Sequence, residues 1–161
     1  MSNANARFSV NGDGKQPIQS APNPRKKQLA DALGKRFSEL NVLWQNAEDD
    51  LKKIPIPVDV PICYKSVDTD DDPVRRGPQI HSYLGFAKAK GGWRICIGHS
   101  HDSFPEMGID WKPITECTVD FRLEAVPHIN KLRQAVLKAA EDCLPNLDNA
   151  IAELRSTLAS W

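Results

Sequence analysis

The sequence predicts an α+β fold, with long N-terminal and C-terminal amphipathic helices packed on a small antiparallel sheet centred on a β-hairpin. Three observations carry that expectation. Apolar residues recur at alternating steps of three and four towards both ends of the chain, strand-like runs flank Gly91-Gly92, and prolines and glycines punctuate the segments between. A chain of 161 residues buries one core. Its composition divides it into a tail over 1–22, expected to be disordered, and a single domain over 23–161.

The tail has only Phe8, Val10 and Ile18 as sizeable apolar residues. Asn23-Pro24 then opens a helix, because Asn accepts a bond from a free backbone N–H and Pro is preset for the first helical position. Ala30, Leu33, Phe37, Leu40, Trp44, Ala47, Leu51 and Ile54 form one stripe, and the helix is expected over 24–53, roughly 45 Å at 1.5 Å per residue. Packing of this stripe against the C-terminal helices is favoured over a dimer seam.

Ile54-Pro55-Ile56-Pro57 stops the helix. A strand is expected over 58–65, at a sheet edge because Pro61 cannot donate to a ladder. Residues 68–78, with four aspartates before Arg75 and Arg76, lack periodicity and read as a loop without the Gly and terminal Glu of an EF-hand.

Strands are expected over 80–90 and 93–101, joined by a Gly91-Gly92 turn that sets Phe86 opposite Ile97 and Leu84 opposite His99. One face then carries Leu84, Phe86, Trp93, Ile95 and Ile97, the expected core face. Residues 102–112 read as a loop. The segment 115–126 fits a strand by alternation and a helix by its continuing stripe, and the helix is favoured, with Thr118 and Asp120 near its cap. Over 127–161 a second stripe, from Ile129 through Leu132 and Val136 to Leu158, keeps its phase across Pro145, so a helix that continues through the proline is at least as well supported as a reversal.

Charge and motifs exclude more than they assign. Lys and Arg number 21, as do Asp and Glu, so the chain is no uniformly basic nucleic-acid binder. No run reaches the eighteen or so apolar residues of a membrane span, and the first residues lack the apolar centre of a secretory signal, so a cytoplasmic location and no membrane partner are expected. Cys63, Cys96, Cys117 and Cys143 include no Cys-x-x-Cys pair and are expected as reduced thiols. Phosphate loops, dinucleotide fingerprints and nucleophile elbows are absent from the sequence.

The leading expectation is therefore a non-enzymatic protein–protein interaction module, an accessory or regulatory subunit of a cytosolic assembly. No cofactor is expected, and the partner is another protein or a second copy of the chain. Trp44, Trp111, Trp161, Arg75 and Arg76 are the candidate contact residues. The alternative is a small metal-dependent hydrolase. His99 and His101, two apart on a strand, point the same way, and His81 with Glu106 or Asp110 could complete a site for a divalent ion. A second alternative, nucleic-acid binding, rests on Lys88, Lys90 and Arg94 beside Tyr83, Phe86 and Trp93, and is not favoured because the aromatics serve more simply as core.

Overall fold

A computed structural model describes residues 24–69 and 77–161. The expected tail over 1–22 and the candidate contacts Arg75 and Arg76 lie outside the described residues. The chain divides into two units at Gly34 and Lys35; of the first, the described part is 24–34, the opening turns of the first helix.

That helix, α1, spans Pro24–Leu51, two residues shorter at its end than the periodicity suggests. The strand β1 follows over Val60–Asp68 and β2 over Gln79–Ala89. Next come β3 over Gly92–His101 and β4 over Asp110–Pro113, the latter after a 3-10 turn at Pro105–Met107. A 3-10 turn at Ile114–Glu116 leads to α2 over Val119–Ala125, another at Val126–His128 carries Pro127, and α3 spans Ile129–Ala159. The segment 115–126 is thus helical in its longer part. Thr118 occupies the cap position of α2, but its side chain makes no capping bond. Pro145 lies inside α3, so helix continues through it.

The four strands form one antiparallel sheet in the order β1-β2-β3-β4. Pro61 indeed sits on an edge strand, and β1 carries an irregularity between Cys63 and Lys65, a common way of blunting an edge. The fourth strand lies within the expected loop 102–112; at four residues it is too short to display a period of two.

The hairpin turn falls one residue earlier than expected, at Lys90-Gly91, with φ of 49° and 82°. Two successive positive φ values are what a primed turn requires. Left-handed backbone costs a lysine about 1 kcal/mol. In return Phe86 faces Ile95 and Leu84 faces Ile97, all four of them buried, while Ser82 faces His99. Because each pairing moves by two residues, the expected core face survives the correction.

On that face Val60, Ile62, Leu84, Phe86, Ile95 and Ile97 meet Trp44 and Leu51 of α1, Ala125 of α2, and Leu132 and Val136 of α3 in one core. Ion pairs and polar contacts tie its margins: Lys65 to Glu124 at 2.7 Å, Arg133 to Asp50 at 3.7 Å, and the Arg122 guanidinium to the Asn41 side-chain oxygen. On the opposite face the Trp111 ring lies across Gly85 and Gly98.

Only part of each long helix serves the core. Within 35–51, Trp44, Glu48 and Leu51 are buried while Phe37, Val42 and Leu43 are exposed. In α3 the last residue with partial burial is Cys143, and every residue over 144–161 is exposed. Length explains this. A helix of 31 residues runs roughly 46 Å, whereas its residues packed on the core, Ile129 to Ala140, take up only about 17 Å of that length.

Candidate functional site

Three surfaces carry chemistry: the two faces of the sheet at the His101 end of β3, and the far half of α3.

Strand parity divides the three histidines expected as metal ligands. Across the β2–β3 ladder His81 lies opposite Ser100, and Ser82 opposite His99. His99 and His101 therefore project from the helix-covered side and His81 from the other. His99 Nδ1 meets the Ser82 hydroxyl at 3.2 Å and its ring lies 5.8 Å from that of Phe121. His101 Nδ1 accepts the Ser103 backbone N–H at 3.0 Å, and its ring packs by Phe104. Glu106 is exposed in its 3-10 turn. Asp110 faces His99 across the β3–β4 ladder, and both line a pocket of about 140 Å³ with Lys112, Cys117, Thr118 and Phe121. Among the described residues no group of three or more His, Cys, Asp or Glu side chains is placed to hold a metal ion.

The opposite face holds a relay that strand spacing alone does not reveal. The Ser66 hydroxyl lies 2.8 Å from His81 Nδ1, and His81 Nε2 lies 2.9 Å from Asp102 Oδ1. Asp102 Oδ2 also accepts the Gln79 backbone N–H at 3.2 Å. The bond from His81, and then the one from Gln79, hold the Asp102 carboxyl below the usual carboxylate range. An ionised carboxylate at Nε2 fixes the proton there and leaves Nδ1 to accept from Ser66. Cys63 Sγ sits 3.7 Å from the same hydroxyl, and Tyr83 OH accepts from Ser100 at 3.3 Å nearby. Ser66, His81 and Asp102 come from β1, β2 and the residue after β3, so only the ladder registers bring them together.

The remaining expected contact residues divide. Trp44 is a core residue, 4% exposed, and offers no surface. It lies towards the sheet because the stripe of α1 faces the core at Trp44 and Leu51. Trp111 is half-buried against Gly85 and Gly98, and Trp161 is 95% exposed. Around the hairpin, Phe86 is buried and stacks on Trp93 at 5.6 Å, Lys90 reaches Glu116 at 2.6 Å, and Arg94 reaches Glu48 at 2.7 Å. Two of the three cations expected to meet phosphate, Lys90 and Arg94, thus have carboxylate neighbours.

Cys96 and Cys117 are buried and Cys63 is exposed, all three as free thiols. Burial pushes the Cys96 thiol up to about 12, which makes it a poor nucleophile. No described helix is long and apolar enough to cross a membrane.

The exposed half of α3 carries Leu144, Leu147, Ile151, Leu154 and Leu158 at steps of three, four, three and four, each between 47% and 59% exposed. Pro145, next to the first of them, lies off this stripe. Sequence periodicity announces the stripe; that it is left uncovered is a structural finding. Comparison with protein families, curated proteins and solved structures found no match to this chain.

Proposed function

We propose that this chain is a non-enzymatic protein–protein interaction module, an accessory or regulatory subunit of a cytosolic assembly, whose far half of α3 docks an amphipathic helix. The observation that supports it is the apolar stripe from Leu144 to Leu158, exposed throughout and followed by the exposed Trp161. Isolated helices of this length are marginal in water, so the segment is stabilised by whatever covers its apolar side. Exposed apolar stripes of this kind mark interaction surfaces.

The test uses full-length protein gently extracted from the cells that make it, beside the variant Leu147→Asp/Leu154→Asp. The wild type is expected to elute in a complex larger than its own monomer, and the variant to leave that complex while its core stays folded, because both positions lie outside the core. A wild type that elutes at its monomer mass overturns the proposal.

A second reading rests on the Ser66–His81–Asp102 relay. In it Ser66 Oγ attacks the carbonyl of an activated ester, its proton passes to His81 Nδ1 and then to the departing alkoxide, and water frees the acid by the same steps in turn. Labelling of Ser66 by a fluorophosphonate, lost in His81→Ala, is the result this reading requires. An unlabelled Ser66 disposes of it.

A further inference from the structure

We infer that the partner of α3 is a second copy of this chain, paired antiparallel along the far half of the helix. This rests on the proposed docking role of that segment and specifies its occupant.

The argument begins with spacing. With Leu144, Ile151 and Leu158 at one seam position of a heptad and Leu147 and Leu154 at the other, the repeat runs about two heptads to the end of α3 at Ala159 without a polar interruption. Pro145 falls outside the seam, at the position after Leu144, so its missing N–H is kept away from the facing helix.

Charge then selects the orientation. The residues flanking the seam on one side are Asp148 and Arg155; on the other they are Ala150 and Thr157. In an antiparallel pair, like flanks meet. When Leu147 faces Leu158 of the second copy and Ile151 faces its Leu154, Asp148 of each chain comes beside Arg155 of the other. Two opposite-charge pairs form, and on the remaining side small, uncharged residues let the backbones approach. A parallel pair in register would instead set Ala150 near Arg155 and Cys143 near Asp148, with no opposite charges facing.

Burial gives the third argument. Leu132 and Val136 fix the near half of α3 in the core, and exposure begins at Leu144. Antiparallel pairing sets Leu147 of one copy opposite Leu158 of the other, so the helical overlap, which ends with α3 at Ala159, stays within the exposed half of each copy and clears both cores. Parallel pairing would bring both sheets to the same end and crowd them together. Self-docking of one exposed patch about a twofold axis also closes, which leaves no seam for further copies.

Sedimentation equilibrium of the purified full-length chain, up to about 100 μM so that a micromolar association would register, tests the inference. A monomer–dimer equilibrium is expected for the wild type, with helix signal in circular dichroism rising as dimer forms. Ile151→Asp/Leu154→Asp is expected to be monomeric with its core unfolding transition unchanged. Asp148→Arg and Arg155→Asp each weaken association roughly three- to tenfold at low salt, and the double exchange Asp148→Arg/Arg155→Asp restores it. A wild type that stays monomeric overturns the inference, as does a dimer indifferent to Ile151→Asp/Leu154→Asp. Failure of the double exchange to rescue overturns the antiparallel arrangement. A purified monomer that nonetheless enters a larger complex in cell extracts, through the same α3 residues, would sink self-pairing while leaving the docking role of α3 intact.

Discussion

The Glu48 carboxylate of α1 accepts the backbone N–H of Ile95 in β3 at 3.0 Å. The fourth strand ends at Pro113, opposite Cys96, one residue short of Ile95. A side chain from α1 therefore completes the edge that β4 leaves open. The same carboxylate takes Lys52 Nζ at 2.8 Å and Arg94 Nε at 2.7 Å, and this neighbour raises the pKa of both cations. Glu48 itself is 3% exposed, an expensive place for a charge unless its partners converge on it.

Glu48→Leu is accordingly expected to destabilise the fold by about 2–3 kcal/mol. The cost is that of a buried amide left without an acceptor and of the buried Arg94 Nε left without its carboxylate neighbour, with little added by the more exposed Lys52. Urea unfolding followed at equilibrium checks this. A midpoint unchanged from wild type would show that the Ile95 amide finds another acceptor.

On the far face of the sheet, a Cβ at Gly98 would lie 2.7 Å from the Trp111 ring and 2.3 Å from Ile109, and one at Gly85 would lie 2.4 Å from that ring. Gly98→Ala and Gly85→Ala are each expected to cost about 1–3 kcal/mol by overpacking and to shift tryptophan emission to the red as Trp111 is displaced. In the Trp111→Ala background Gly85→Ala should cost far less. That non-additivity in a double-mutant cycle is the measurement.

The Asp102 carboxyl provides a pH dependence with a defined sign. Its folded pKa lies below the ordinary 3.8, so the bonds from His81 and Gln79 contribute fully above 3.8 and are lost as pH falls through the folded value. The Gln79 amide resonance should therefore titrate with a midpoint below 3.8, and in Asp102→Asn that step should vanish. A midpoint at or above 3.8 would contradict the hydrogen bonds at this carboxylate.

The residues differ in how legible they were. Helix positions, the core face of the hairpin and the edge placement of Pro61 follow from local rules, because side-chain period and the missing proline N–H act within a few residues. The Lys90-Gly91 turn, the short β4 and the joining of Ser66, His81 and Asp102 depended on register, which is set by pairing buried residues across strands and not by any one segment. Trp44 and Leu147 make the contrast plainest. Both stand on helical stripes of the same spacing, yet one is core and the other is exposed.

By itself, then, the sequence determined an α+β chain with two long helical stripes and a central hairpin, since periodicity and turn chemistry are local properties. The tertiary structure decided which part of each stripe the sheet could cover. The core takes α3 from Ile129 to Ala140 and leaves its far half exposed, because a helix continues through its own backbone hydrogen bonds while burial ends where no facing element remains.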